Sequence, residues 1–188
     1  MTDRYYGGLL FFRGTCMKLT EADYYAKNGA LFKKNDVGFS GIKKLVLTEN
    51  TLSGSLFDGF SPDTLIVLEF PVTFACCDSE TFDEAFLADL RSVLKQLEET
   101  GKTVVFSVTG KIVGADDSAV FYHIARRIKD CKSVAGICFQ AGTTKGTAMS
   151  VIDALQKKHP EYVYFASESG LYDALDKDYT GRIAFAGI

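Results

Sequence analysis

From residue 64 onward, short runs of apolar residues alternate with longer segments in which the apolar residues have helical spacing. Residues 64–70 read Thr-Leu-Ile-Val-Leu-Glu-Phe, which is typical of a strand buried on both faces. Thr81 and Glu84 then form a capping-box pair, and Gly101 stands where a left-handed cap ends a helix. Between them, apolar side chains recur every three or four residues: Phe82, Phe86, Leu90, Val93, Leu94 and Leu97.

The same alternation continues to the end of the chain. Strand–helix–strand units of this length predict a mainly parallel sheet with right-handed crossovers. We therefore predict an α/β protein in which helices flank a mainly parallel sheet. The predicted strands are 102–108, 133–139, 162–166 and 182–186, and the predicted helices are 120–128 and 143–158.

The first 63 residues have a different pattern, because short apolar runs are separated by Gly, Asn and Asp. The runs at 8–12, 30–32 and 42–47 predict short strands joined by turns. We expect these strands to pair antiparallel and to join the parallel sheet. With 188 residues, the chain is long enough for one core, and we predict a single domain over 1–188.

Charge and hydropathy disfavour several classes of partner. The chain has 21 basic and 24 acidic residues, a net charge of −3 and no cluster of Lys and Arg. We therefore expect neither nucleic acid nor an anionic membrane surface as a partner. No apolar stretch approaches the roughly 18 to 20 residues that cross a bilayer, and the start of the chain lacks the apolar centre of a signal peptide. A cytoplasmic location is the resulting expectation.

The residues that usually bind metals are sparse and scattered. The two histidines are His123 and His159, and no C-x-x-C pair occurs, so we predict reduced thiols and no metal site. Glu69 lies inside an apolar run and becomes a site candidate if it points inward, because a buried carboxylate must be paired or protonated. The cysteines are Cys16, Cys76, Cys77, Cys131 and Cys138.

Four pieces of sequence from residue 64 on resemble, in order, the enoyl-CoA hydratase/isomerase (crotonase) superfamily. The third and fourth pieces resemble the strand before that family's glycine-rich turn and the stretch near its second acid. This resemblance implies a crotonase-like ββα architecture. The four pieces are the strand 65–71 ending in Pro71, the turn Gly114-Ala115-Asp116, the segment 132–136, and the segment 166–172.

The resemblance also implies a site for an acyl thioester. In that family two backbone N–H groups form an oxyanion hole that stabilises an enolate-like anion. By resemblance these N–H groups come from Ala115 and from the turn that contains Gly146. Gly114, Gly142 and Lys145 then contact the substrate, with lysine standing where the family has glycine.

Only one of the family's two catalytic acids has a counterpart. Asp176 corresponds to the second acid, whereas Ala148 occupies the position of the first. The implied function is an acyl-thioester-binding protein, or an enzyme of the hydratase, isomerase or decarboxylase type if activity is retained. The implied ligand is acyl-CoA or an acyl-carrier thioester, with no other cofactor.

A second resemblance points to a different class of enzyme. Residues 121–130 with 134–136, followed by 159–165, resemble helix and strand segments of cellulase-type glycoside hydrolases on a (β/α)₈ barrel. Where that family has Asn-Glu-Pro, this chain has Gln140-Ala141-Gly142. Such barrels need about 200 to 250 residues and eight strands, and the length of this chain argues against one. A degenerate glycoside hydrolase-like protein is the resulting alternative.

A third alternative is a non-catalytic binding or assembly module. The 15 Phe and nine Tyr residues exceed the usual need of one core, which leaves aromatic surface for a partner subunit. A homo-oligomer formed through Tyr5, Tyr6, Tyr24 and Tyr25 is the corresponding expectation.

Overall fold

The computed structural model describes residues 23–78, 81–110 and 117–187. Among them, no helix is both long enough and apolar enough to cross a bilayer. The helices are α1 Val72–Ala75, α2 Glu84–Glu99, α3 Asp117–Arg127, α4 Lys145–Gln156 and α5 Ser169–Asp176. The strands are β1 Tyr24–Lys27, β2 Ala30–Lys33, β3 Gly41–Val46, β4 Thr64–Pro71, β5 Thr103–Thr109, β6 Val134–Phe139, β7 Val163–Ala166 and β8 Ile183–Phe185.

The main sheet has six parallel strands, and their spatial order β3-β4-β5-β6-β7-β8 is the order of the chain. Each right-handed crossover therefore advances in the same direction, which places the connecting helices on one face of the sheet. Apolar residues from α2 to α5 share one core cluster with alternate strand residues, including Phe86, Ile124, Val151 and Leu171.

The opposite side of the sheet, called here the open face, has its own smaller core. Side chains alternate between the two faces along each strand, so strands buried on both sides read as continuous apolar runs. In β4, Ile66 and Leu68 pack against the helices, whereas Leu65 and Val67 lie on the open face. The continuous runs of the sequence therefore follow from a sheet covered on both sides.

An antiparallel hairpin of β1 and β2 covers part of the open face. Its turn residues Asn28 and Gly29 have φ angles of 51° and 75°, as a tight hairpin turn requires. The phenol of Tyr24 lies 3.2 Å from Thr103 Oγ1 and donates to the carbonyl of Lys132 at 3.2 Å. These bonds hold the hairpin at the amino ends of β5 and β6.

A β-bulge in β6 changes which side chains of this strand reach the open face. Val104 pairs with Val134, but Val105 pairs with Gly136, so Ala135 is an extra residue. Val134 packs on the helix face. Without the bulge, residues 138 and 140 would follow Val134 onto that face, because alternate residues of a strand share a face.

The structure confirms the mainly parallel sheet with flanking helices and the antiparallel β1–β2 pair. The antiparallel pairing expected for residues 42–47 is wrong: β3 pairs parallel to β4. The connection between these two strands is a crossover long enough for parallel pairing. Helix α5 was not predicted, and the predicted strand at 8–12 lies outside the described residues.

The predicted C-terminal end of α2 is confirmed, whereas its N-cap residue differs from the prediction. The side chain of Asp83 accepts a hydrogen bond from Phe86 N, so Asp83 replaces the predicted Thr81 as the N-cap. Gly101 has a φ of 68°, as predicted for the glycine that ends this helix.

Substituting Gly136 tests the close packing at the bulge. A Cβ at this position would lie 1.7 Å from the carbonyl oxygen of Val163 in the neighbouring strand. We expect Gly136→Ala to lower the free energy of unfolding by about 3 kcal/mol, because the neighbouring atom is backbone and cannot move aside cheaply. Urea denaturation measures the change.

Gly59→Ala is the matched control, since a Cβ at Gly59 has no heavy atom within 4 Å. Equal stability of the two variants would contradict the proposed packing.

Candidate functional site

The open face changes from apolar to polar towards the carboxyl ends of the strands. Its apolar layers include Leu65, Val67, Val105 and Phe165. Ligand sites of parallel sheets lie at this edge, because the strand ends and the loops that follow them meet there. The polar residues at this edge are Lys44 from β3, Glu69 from β4, Ser107 from β5, Gln140 after β6 and Ser167 after β7.

Glu69 is the centre of this polar group. Its Oε2 accepts a hydrogen bond from Gln140 Nε2 at 2.7 Å, and Lys44 Nζ lies 3.2 Å from the same oxygen. The Glu69 side chain is only 13% exposed, and Lys44 supplies the charge partner that such burial requires. The sequence predicts that Glu69 is either paired or protonated if it points inward, and the structure shows that Lys44 and Gln140 pair with it.

Gln140 and Ser107 extend the network across two strands. Gln140 Nε2 donates to Ser107 Oγ as well as to Glu69, and Ser107 Oγ donates to the carbonyl of Cys138 at 2.8 Å. A carboxylate can only accept hydrogen bonds, so the amide nitrogen of Gln140 must face Glu69. Both amide protons are therefore used inside the protein.

The network leaves two oxygens available to a ligand. Within the described parts of the chain, neither Glu69 Oε1 nor Gln140 Oε1 has a hydrogen-bond partner. Glu69 and Gln140 line a cavity of about 70 Å³ together with Ser167. Ser167 is held there because its hydroxyl donates to the carbonyl of Phe139 at 2.9 Å. The site thus offers two acceptors beside the ammonium group of Lys44.

Cys138 lines the same cavity but is not an activated nucleophile. Burial raises the pKa of its thiol to about 12, and burial likewise raises the pKa of Cys131 to about 11. The reactive form of cysteine is the thiolate, so these shifts suppress reactivity.

The two histidines lie elsewhere and make structural contacts. His123 Nε2 lies 3.1 Å from Glu84 Oε1, and its ring stacks on Phe82. His159 is buried and stacks on Tyr162. Neither contacts the network around Glu69.

Four of the six site residues predicted from the crotonase resemblance can be located. Gly142 has a φ of 77° in the turn after β6, and Gly146 lies in the first turn of α4. Lys145 begins α4, and its Nζ pairs with Asp178 Oδ2 at 2.7 Å. Asp176 ends α5, and no hydrogen bond or ion pair between described residues joins it to the turn at 142–146.

Gly114 and Ala115 lie outside the described residues. No observation tests these six residues one by one. Of the four tyrosines expected to face a partner subunit, Tyr5 and Tyr6 lie outside the described residues, Tyr24 anchors the hairpin and Tyr25 stacks on Phe32. The homo-oligomer stays a prediction.

Sequence reasoning singled out Glu69 and missed its partners. Ser107 carried a usable signal, because it is a polar residue in an apolar run and pairs directly with Glu69 across the sheet. Gln140 carried no such signal, because its side chain reaches the open face only through the bulge in β6.

No protein-family model matches the chain, and no curated protein matches it. Solved structures do match. The catalytic domain of a mannanase from Streptomyces sp. SirexAA-E has 14% identity and a TM-score of 0.51, over 97% of this chain and 65% of that chain. An exo-β-1,4-mannosidase from Opitutaceae bacterium strain TAV5 has 14% identity and a TM-score of 0.48, over 80% and 34%. XacCel5A, solved in complex with cellopentaose, has 18% identity and a TM-score of 0.48, over 64% and 50%.

At these identities the likeness concerns the fold alone, and the chain spans less than two-thirds of the length of each structure. The match to the mannanase domain identifies the curled six-stranded sheet with its helices as part of a (β/α)-barrel-like fold. The length of the chain argues against a complete eight-stranded barrel but not against part of one, and the described residues contribute six parallel strands to such a part.

The match to the mannanase domain and the order of the strands show that the crotonase resemblance is wrong, and so are the crotonase-like ββα architecture, the acyl-thioester ligand and the oxyanion hole that it implied. The physical reason is that its motifs are short connections between strands and helices. Glycine and aspartate suit such connections in any α/β protein, since glycine permits unusual φ angles and aspartate caps helices.

Thiol labelling tests the burial of Cys138. We expect iodoacetamide at about pH 8 to modify the exposed Cys77 rapidly and Cys138 hardly at all, because a thiol with a pKa of about 12 is ionised in about one molecule in ten thousand. Peptide mass mapping locates the label. The urea-unfolded chain is the control, in which both thiols react. Equal rates in the folded chain would contradict this environment for Cys138.

Proposed function

We propose that this chain is a glycoside hydrolase-like protein that binds a neutral saccharide at the carboxyl edge of its sheet and does not hydrolyse it. The observation that carries this proposal is the pair of acceptor oxygens on Glu69 and Gln140, held beside the Lys44 ammonium group above an apolar layer.

The chemistry of this edge suits a ligand rich in hydroxyl groups. Each hydroxyl can donate to one oxygen and accept from a neighbouring donor, so adjacent hydroxyls of a sugar can bind Glu69 Oε1, Gln140 Oε1 and Lys44 Nζ. A few fixed polar groups over an apolar floor are the usual composition of a small-molecule site. A carboxylate in the centre disfavours anionic ligands by charge repulsion.

Hydrolysis requires more than this edge provides. Glycosidases generally use two carboxyl groups about 5 to 10 Å apart, one on each side of the scissile bond. Among the described residues of the polar network, Glu69 is the single carboxylate. Its Oε2 already accepts from Gln140 and pairs with Lys44, so Oε1 is the one oxygen of this carboxylate left to meet a substrate.

The names of the structural neighbours suggest the first ligands to test. They are a mannanase, an exo-β-1,4-mannosidase and a protein solved with cellopentaose. We infer that β-1,4-linked mannose or glucose units are suitable probes for this chain.

Titration calorimetry with mannopentaose and with cellopentaose tests the proposal. We expect one of them to bind and Glu69→Ala to weaken that binding about tenfold or more, because hydrogen bonds to a charged acceptor are lost. Glu168→Ala is the matched control, since Glu168 is an exposed carboxylate that follows strand β7 at the same edge of the sheet. Thermal melting checks that both variants are folded.

Two outcomes count against the proposal. Absence of binding to either pentasaccharide at millimolar concentration overturns the saccharide site. Release of new reducing ends during incubation overturns the absence of hydrolysis while leaving the binding site in place.

A further inference from the structure

Ser107 is the fully buried member of the five described polar residues at the carboxyl edge. It lies on β5, directly beside Glu69 of β4 on the same face of the sheet. Its hydroxyl has a single proton, which it donates to the carbonyl of Cys138 at 2.8 Å. The hydroxyl oxygen is therefore an acceptor towards Gln140, and Gln140 Nε2 donates to it.

The hydrogen bonds that run through Ser107 have a fixed direction. A main-chain carbonyl and a carboxylate can only accept, so the series ends in an acceptor at both sides, the carbonyl of Cys138 and Glu69 Oε2. Gln140 lies between these ends and supplies one amide proton to Ser107 and the other to Glu69. Reversing the amide would remove both bonds and bring Gln140 Oε1 against two acceptor oxygens.

The second of these bonds constrains the amide more than the first one does alone. Gln140 comes one residue after the end of β6, so strand pairing does not hold its side chain. A single bond to Glu69 allows the amide plane to rotate about that contact, whereas a further bond to Ser107 fixes the plane. A side chain fixed in this way does not have to be ordered when a ligand binds, which saves free energy.

We propose that Ser107 is a positioning residue that holds Gln140 Oε1 as a fixed acceptor, so that the sugar must meet Gln140 with a free hydroxyl group. This inference rests on the proposed saccharide site and adds the chemical form of the ligand at one contact. A hydroxyl group donates its proton to Gln140 Oε1, whereas an alkylated or acylated oxygen has no proton to donate and leaves that acceptor unpaired.

A double-mutant cycle separates positioning from a general structural role. With the pentasaccharide that binds, we expect Ser107→Ala to raise the dissociation constant about fivefold, because the amide of Gln140 is then ordered only on binding. Ser107→Thr keeps the hydroxyl and is expected to bind within about twofold of the unaltered chain. In the Gln140→Ala background, Ser107→Ala should change the dissociation constant by less than about twofold, because the residue that Ser107 positions is absent.

Ser133→Ala is the matched control. Ser133 is also buried, and its hydroxyl donates to the carbonyl of Leu94 at 2.8 Å, but it precedes β6 at the opposite edge of the sheet. We expect this variant to melt at a lower temperature, as Ser107→Ala does, and to bind the sugar within about twofold of the unaltered chain. If Ser107→Ala does not fold, Ser107→Cys replaces it, because a thiol has nearly the same shape but forms weak hydrogen bonds.

Fluorinated sugars test the need for a donor on the unaltered chain. The probes are the monodeoxyfluoro analogues of methyl β-cellobioside or methyl β-mannobioside, whichever matches the pentasaccharide that binds. Fluorine is similar in size to a hydroxyl group but cannot donate a hydrogen bond. We expect one analogue to bind about tenfold more weakly than its parent, and this loss to fall below about twofold in Gln140→Ala.

The outcomes separate this inference from the proposed function. The positioning role is overturned, and the saccharide site stands, if Ser107→Ala binds as tightly as the unaltered chain or loses as much affinity in the Gln140→Ala background. Binding of every fluorinated analogue within about twofold of its parent also overturns the inference, since no donor is then required. If the unaltered chain binds neither pentasaccharide at millimolar concentration, both proposals are overturned.

Discussion

The close approach of the Gly136 backbone to the carbonyl of Val163 is the constraint on which the site depends. Because no side chain intervenes, β6 can accommodate Ala135 as an extra residue while keeping its pairing with β7. The bulge turns Cys138 and Gln140 onto the open face. The amide of Gln140 then meets Glu69 from β4 and Ser107 from β5, and three strands share one polar network.

The architecture explains why this network forms at one edge. In a sheet whose strands follow chain order, all helices pack on one face, and the other face must be filled by strand side chains and the β1–β2 hairpin. Apolar residues fill the layers of this face that lie towards the amino ends of the strands, and the hairpin is anchored at the amino ends of β5 and β6. Polar side chains are left towards the carboxyl edge, on the strands β3, β4 and β5 and in the segments that follow β6 and β7.

Much of the fold could be predicted because it depends on local patterns. The continuous run at 64–70, the helical spacing after Thr81 and the glycine at 101 each reflect burial or backbone geometry within one element. Pairing partners were less predictable. Residues 42–47 were correctly predicted as a strand, yet their parallel pairing with β4 depends on the path of the connection. The crotonase resemblance failed for a related reason, since its motifs are local turns.

The sequence alone determined the α/β class and most strand and helix positions, because burial and capping leave their pattern in neighbouring residues. It also indicated that a buried Glu69 needs a partner. Only the tertiary structure decided which residues pair with Glu69. Lys44, Ser107 and Gln140 are separated from Glu69 by 25, 38 and 71 positions, and a one-residue bulge decides whether Gln140 faces the network or the helices. A shift of one residue reverses the face of a strand side chain, and composition does not record that shift.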